Sequence, residues 1–280
     1  MYLYHNGGNI SKLKKYFNIF ILILTLTFAL CPAYSKDIKF IQISDLRLMP
    51  DDSSIENYQR AIERINKTRN LDFVVFTGDN LGGPNEDLLK LFIYLSRKIK
   101  VPYYIEIGDK DCLKSAGLKK ELYLKYYNGY KILHRKKSFN YTVKDGNYLF
   151  VFVDGVKQHI PAKNGFYRED TVAWLDKVLT KNKNKAVIIF QHFPLFDFYE
   201  NSASNLYKPE LYKDMLVKHN NVLAIFSGHY MENIEIIPEN SSTTYFVTAP
   251  AENGKSQYRE VNVLNLGNKK YEVYSQVIKF

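Results

Sequence analysis

The sequence predicts an α/β domain whose reactive side chains gather at the carboxyl ends of buried strands. Three observations carry this. The chain has 280 residues of which 46% are hydrophobic, enough for one large domain with a sizeable core. Short apolar runs rich in β-branched and aromatic residues alternate with segments of helical periodicity. Five of those runs stop on an aspartate or a histidine: Asp45, Asp79, Asp109, His192 and His229. The clearest is Val74-Val75-Phe76-Thr77-Gly78-Asp79-Asn80, a buried-strand pattern that ends at a glycine and delivers a carboxylate to the loop beyond. In open α/β sheets that is where ligands collect.

The domain is expected to span residues 36–280. Ahead of it, Lys12, Lys14 and Lys15 precede a charge-free, mostly apolar run from Ile19 to Leu30, and Ala33-Tyr34-Ser35 places small residues at a cleavage position. This is the layout of a signal peptide over residues 1–35, cut after Ser35, and it predicts export to the periplasm, the cell envelope or the extracellular space. An uncleaved N-terminal anchor is the alternative, and membrane association is expected only through that segment. Leu30 is too large to precede a lipidated Cys31. Removing three lysines and no acid lowers the formal charge from +10 to +7. The remaining basic runs are short, such as Lys119-Lys120 and Lys269-Lys270, which is a solvated surface and excludes a nucleic-acid polymer as partner. Cys112 is then the only cysteine, so stability rests on the core with no internal disulfide.

The elements follow in order. A strand over 37–44 ends at Asp45. Ser53 and Ser54 are expected to cap a helix whose apolar face is Ile55, Tyr58, Ile62 and Ile65. The strand ending at Asp79 comes next. A Gly82-Gly83-Pro84 turn leads to a helix capped by Asn85 with Leu88, Leu91, Phe92 and Leu95 inward. A third strand, 102–107, ends in Gly108-Asp109-Lys110-Asp111, and 122–127 reads as helix. Asp145-Gly146 joins a hairpin of 141–143 and 148–153. A helix over 169–181 carries Trp174, Leu175 and Leu179. The strand 186–190 ends at His192, and a helix near 208–218 leads into the strand 222–226, which ends at His229. Short strands are expected at 234–237, 245–248, 261–264 and 271–278. There is no repeat and no linker.

Carboxylates and imidazoles are the ligand types that hold Mn, Fe(II) or Zn. As an ordered set, Ile43-Ser44-Asp45, Gly78-Asp79-Asn80, the loop Gly108 to Asp111, His192-Phe193-Pro194 and Gly228-His229 resemble the calcineurin-like metallophosphoesterases, especially the cyclic-nucleotide phosphodiesterase-like and purple-acid-phosphatase-like branches. Gly165 to Leu179, with Trp174-Leu175, is similar to the family as well. The resemblance implies a four-layer α/β/β/α sandwich with mixed sheets, two metals at the strand ends, and hydrolysis of a phosphate mono- or diester. No tyrosine stands at 81–83, which disfavours the purple acid phosphatase subtype.

The family pattern is Asp-x-His, Gly-Asp, Gly-Asn-His-Asp/Glu, His and Gly-His-x-His. Here Arg47 and Met231 replace histidines, Asp109 replaces the asparagine, and Lys110 replaces the histidine that assists the transferring phosphoryl group. By the resemblance, the first metal would use Asp45, position 47, Asp79 and position 231, and two of those ligands are gone. The second would use Asp79, Asp109, His192 and His229, all competent. One divalent metal retained and one lost is the expectation. Two chemistries remain open. In one, Arg47 supplies the missing metal's charge and binds the phosphoryl group, Lys110 stabilises it, Asp111 orients Lys110 and Asn80 contacts ligand oxygens, so the partner is a phosphoester substrate. In the other, Arg47 pairs with Asp45 or Asp79, Lys110 pairs with Asp109 or Asp111, and the cleft binds a phosphorylated or anionic ligand without turnover. His134, His159 and His219 read as surface residues and Cys112 as a buried one. The tyrosines between 103 and 130, and Phe193, Phe196, Phe198 and Tyr199, read as core or cleft wall.

Overall fold

The computed structural model describes residues 36–129, 135–200, 202–239 and 241–280. The segment 1–35, expected to be a leader, and Tyr130 and His134 lie outside the described residues. Asp37–Phe280 form one unit built on two mixed sheets. In chain order the elements are β1 (Ile38–Ile43), α1 (Asp52–Lys67), β2 (Phe73–Thr77), α2 (Glu86–Ser96), β3 (Tyr103–Glu106), α3 (Lys120–Asn128), β4 (Tyr141–Asp145), β5 (Tyr148–Val153), α4 (Glu169–Lys181), β6 (Ala186–Gln191), α5 (Glu210–Leu216), β7 (Val222–Ser227), β8 (Ile234–Ile236), β9 (Thr244–Val247), β10 (Gln257–Gly267) and β11 (Lys270–Lys279).

The first sheet has the order β11-β10-β1-β2-β3 and the second β4-β5-β6-β7-β9-β8. β1, β2 and β3 are parallel, as are β5, β6, β7 and β9, while β10, β11, β4 and β8 run antiparallel to their neighbours. Successive residues of the central strands enter two different cores, which is why these strands read as unbroken apolar runs. Ile38, Phe40, Phe73, Val75, Phe150, Phe152, Ile188 and Phe190 fill the space between the sheets. Their neighbours Ile41, Ile43, Val74, Phe76, Leu149, Val151, Val187 and Ile189 face the helices. On that side Tyr58 of α1 and Phe92 of α2 pack edge-on against Phe76, at 6.2 and 5.1 Å. The layers are therefore helix, sheet, sheet, helix, as expected.

A buried polar seam ties the two sheets where the parallel strands end. Gln42 donates to Thr77 Oγ1 and to the Ser227 carbonyl, both at 2.9 Å, and accepts from Thr248. The carboxyl ends of β1, β2, β6 and β7 thus meet at one edge. Three sequence expectations shift. The α1 cap is Asp51, whose carboxylate accepts from Ser54 N, so Ser53 and Ser54 fall inside the first turn. α5 is shorter than expected and begins after Pro209. β10 and β11 form a long hairpin whose outer half alternates polar and apolar residues and is held by its ladder, not by apolar burial.

Candidate metal centre

The loops at this edge are unusual in backbone before any side chain is considered. Asp45, Arg47, Asp79, His229 and Met231 all have left-handed φ, at 49°, 48°, 50°, 71° and 62°. For residues other than glycine that conformation costs about 1–2 kcal/mol each and persists where the surroundings enforce it. Here Asp45 N donates to Gly78 O, Arg47 N to Asp79 O and Gly228 N to His192 O, each at 2.9–3.0 Å. Two glycines permit the close approach. A Cβ on Gly108 would lie 2.3 Å from Asp79 Oδ1, and one on Gly228 would lie 1.7 Å from Ser44 Oγ.

One half of the site is built around Asp109. His192 Nε2 lies 3.4 Å and His229 Nδ1 3.2 Å from Asp109 Oδ1. The far nitrogen of each ring is already engaged: His192 Nδ1 with the Thr77 carbonyl at 2.8 Å, and His229 Nε2 with the Ser204 carbonyl at 3.0 Å. A nitrogen facing a carbonyl carries a proton, so the other nitrogen of each ring, the one turned towards Asp109, is the position at which a ligating lone pair would be offered. This is how histidine ligands are oriented from behind. Asp109 Oδ1 and His192 Nε2 are nonetheless buried without a hydrogen bond. Lone pairs facing one another fit a cation between them. Asp109, His192 and His229 bring their ligand atoms within 4.8 Å of one another, as do Asp45, Asp79 and His192. Asp79 Oδ1 completes the first group's surroundings, 3.5 Å from His192 Nε2.

The surrounding carboxylates favour positive charge at this position, whether a proton on His192 or a bound cation. Burial opposes charge on His192, yet Asp79, Asp109 and Asp45 pull its imidazole up to about 10. Burial, with Asp109 and Asp45, pushes Asp79 up to about 6. Burial also raises Asp109, but the two imidazoles more than offset it and hold that carboxyl below its usual range. A pocket that draws in protons this strongly is one that accepts a divalent cation.

Arg47 occupies the other half. Its Nη2 sits 3.2 Å from Asp45 Oδ1 and 3.5 Å from Asp79 Oδ2, and its Nη1 lies 3.5 Å from Glu252. Asp45 Oδ2 accepts from Ser44 Oγ and from His229 N, so Asp45 is committed to the guanidinium and to the loop. Burial lowers the Arg47 pKa, and Asp45, Asp79, Glu252 and Asp109 together raise it above its ordinary value. Arg47 Nε is buried without a partner. Met231, from the Gly228-His229 loop, is half-buried.

Two expected site residues face elsewhere. Asn80, expected to meet ligand oxygens, directs its amide nitrogen inward to the Glu106 carbonyl, Asp111 Oδ2 and the Tyr123 hydroxyl. Asp111, expected to orient Lys110, is fully buried and spends its carboxylate on Leu81 N at 2.9 Å, Gly108 N at 2.8 Å and Asn80. Burial and the nearby Asp79 push its carboxyl up to about 7. Asp111 therefore fastens the loops after β2 and β3 from beneath. Among the described residues the expected pairing of Lys110 with Asp109 or Asp111 is not formed: Asp109 Oδ1 faces the imidazoles and Asp111 is spent on the backbone beneath. Lys110 holds Asp79 Oδ1 through its backbone N–H, at 2.9 Å.

Residues outside the signature motifs complete the site. Glu252, on the β9–β10 connection, was given by no motif; its loop is docked by Ala251 N on Ser44 O at 2.8 Å. Ser204 contributes only its carbonyl and leaves no side-chain signal. Phe193 packs edge-on against both imidazoles, at 4.8 and 4.9 Å, and is buried. His219 pairs with Asp176 away from the site, His159 is exposed, and Cys112 is buried.

Comparison with known proteins places this geometry. Residues 38–233 match the model of the calcineurin-like phosphoesterase family. A probable glycerophosphodiester phosphodiesterase of Arcobacter nitrofigilis is 28% identical over 162 residues, covering 56% of each chain. The match thus spans little more than half the length of that relative. A probable cyclic nucleotide phosphodiesterase of Moraxella catarrhalis is 25% identical over 198 residues, covering 68% of this chain and 69% of its own. A dimetal phosphatase from Danio rerio superposes with a TM-score of 0.66 at 15% identity, over 86% of this chain and 98% of its own, which speaks for the fold. The chain belongs to the calcineurin-like phosphoesterase family.

Proposed function

We propose that the protein is an exported phosphoric ester hydrolase that holds one divalent metal ion through Asp79, Asp109, His192 and His229. Arg47 stands where the resemblance places part of a second metal site. The convergence of two backbone-oriented imidazoles on an unpartnered Asp109 oxygen carries this reading. Such an ion supplies Lewis acidity towards a phosphoryl oxygen and activates water for attack. The ion is Mn, Fe or Zn by the ligand set.

The rest of the work falls to this chain's own groups. Arg47 neutralises Asp45 and Asp79, and its partly exposed guanidinium adds positive charge towards a phosphoryl oxygen. Lys110 stands beside Asp109 at the cleft and adds positive charge towards the same group. Asn80 and Asp111 position the ligand loops without touching substrate. Phosphodiesters are the favoured substrates, because the two bacterial relatives carry phosphodiesterase names. Residues 1–35 act as the export signal, or as an uncleaved anchor, and residues 36–280 as the working domain. Among the described residues no helix is long and apolar enough to cross a membrane.

The test combines metal analysis with hydrolysis of bis(4-nitrophenyl) phosphate. One ion per chain and hydrolysis abolished by Asp79→Ala or Asp109→Ala are expected. A protein that takes up no divalent metal, or an Asp79→Ala variant as active as the parent, overturns the reading. A second reading, a binding protein without turnover, draws on the anchoring of Arg47 by three carboxylates. Its outcome is a metal-loaded protein that binds phosphate and hydrolyses nothing.

A further inference from the structure

A pocket of about 440 Å³ opens beside Asp109. Gly82 and Gly83 line it from the loop after β2, Asp109 and Lys110 from the loop after β3, and Lys157 and Lys163 from the long connection after β5. Three of its side chains are therefore lysines. Its one carboxylate, Asp109, is turned to the two imidazoles. The nearest acid on the β5 connection, Asp154, is consumed by Lys120. Among the described residues, Lys110, Lys157 and Lys163 are in no ion pair with a carboxylate.

The wall that carries Lys157 is fastened in place. The backbone carbonyl of Gln158 accepts from Lys114 N at 2.7 Å, and its side chain accepts from Lys120 N at 2.9 Å. Phe166 N closes the base of the loop on Gly155 O at 2.8 Å. Lys157 Nζ donates to Asn164 Oδ1 at 2.7 Å and lies 5.9 Å from the Tyr207 ring, contacts that hold the ammonium and leave it further hydrogens to donate. A cation held at a cavity wall beside two further lysines is what oxyanion recognition requires.

We propose that this pocket is a second anion subsite: it takes a phosphate or carboxylate borne by the substrate beyond the phosphorus that reacts. The inference rests on the phosphoester reading of the adjacent metal centre and narrows it. The ligand class is a phosphoric ester or anhydride with a second oxyanion placed to reach Lys157 and Lys163 while the first lies at Arg47 and Lys110. A substrate whose far arm is neutral leaves the ammonium groups of Lys157 and Lys163 unanswered by an anion.

Isothermal titration of the metal-loaded, desalted protein tests this without turnover. The probes are methylphosphonate, which has no second anion, methylenediphosphonate and phosphonoacetate. Methylenediphosphonate is expected to bind at least ten-fold more tightly than methylphosphonate, the scale of one charged hydrogen bond. Lys157→Gln combined with Lys163→Gln should remove most of that advantage and leave methylphosphonate affinity and the unfolding midpoint unchanged. Phosphonoacetate binding like the diphosphonate upholds the subsite for any oxyanion; binding like methylphosphonate upholds it for phosphate. An advantage that survives the double substitution reflects chelation of the metal alone and overturns the subsite. Methylphosphonate bound with no preference for the diphosphonate overturns the subsite only. If neither ligand binds, the phosphoester reading falls and the subsite with it.

Discussion

Arg47 reaches one oxygen of Asp79, at 3.5 Å, while the other oxygen of the same carboxylate faces His192, also at 3.5 Å. Asp79 is thus shared between a permanent cation and an imidazole whose Nε2 is buried without a partner. A carboxylate that the resemblance makes a bridge between two metals would here bridge a guanidinium and one metal.

That asymmetry predicts the metal stoichiometry. Protein refolded or grown with excess Mn or Zn should retain one ion per chain, measured by elemental analysis after desalting. Loading should also raise the unfolding midpoint, because an ion at a hundred times its dissociation constant stabilises the fold by about 2.7 kcal/mol. His192→Ala and Asp109→Ala should lose both the ion and the shift. Two ions in the parent protein would refute the assignment.

Arg47 should matter to stability as well as to substrate. Removing it leaves Asp45 and Asp79, which are 0% and 1% exposed, without their counter-charge. Deleting one partner of a buried pair costs about 3–5 kcal/mol, and the partial exposure of Arg47 brings the expectation for Arg47→Ala to about 2–3 kcal/mol, read by urea unfolding. Combining Arg47→His with Met231→His rebuilds the lost ligand pair. That double variant should hold a second ion and recover stability on metal addition, whereas an unchanged count of one would show that the surrounding loops no longer fit a second metal.

Gly228 is predicted to tolerate no side chain. A Cβ there would lie 1.7 Å from Ser44 Oγ and 2.6 Å from Asp45 Oδ2, and both atoms sit on the loop after β1. Because His229 N is bound to Asp45 and His229 Nδ1 to the Asp109 group, pushing the two loops apart moves a ligand. Gly228→Ala should cost about 2–3 kcal/mol, the upper range for overpacking, and should weaken metal binding at least ten-fold. Full metal affinity in a folded Gly228→Ala protein would show the loop contact to be dispensable.

The strand ends were legible because each of β1, β2, β3, β6 and β7 is an apolar run interrupted by a polar residue at its carboxyl end, and parallel pairing brings such ends together. Asp79, Asp109, His192 and His229 meet for that reason. The facing of the next residues was not legible. Asn80 and Asp111 follow ligands by one and two positions, and only the left-handed turn at Asp79 and the backbone demands of Gly108 and Leu81 decide that they point inward. Glu252 was invisible for a different cause: it reaches Arg47 across 205 positions from a loop with no motif. The length of the β10–β11 hairpin escaped because its outer half is stabilised by backbone pairing, which leaves no apolar signature.

Glu106 gives the protein a pH-dependent liability beneath the site. It ends β3, is fully buried, accepts one hydrogen bond from Ile107 N at 3.0 Å, and leaves Oε2 without a partner. Burial first, then Asp154, raises its carboxyl well above the ordinary range, against weaker opposition from Ile107 N–H, Lys120 and His192. A raised folded-state pKa means that the folded protein binds this proton more tightly than the unfolded chain does. Below the unfolded value, about 4.3 for glutamate, both states are protonated and Glu106 carries no penalty. As pH climbs above it, the unfolded chain ionises while the folded one does not, so stability falls with pH until the folded pKa is passed. Glu106→Gln keeps the shape and removes the ionisation. Thermal unfolding of both proteins at pH 4, 6 and 8 should therefore show little difference at pH 4 and a growing advantage for the glutamine variant at the higher values. The pH dependence of other groups is common to both proteins and cancels in the difference, so a gap that stays constant across this range would remove Glu106 as its source.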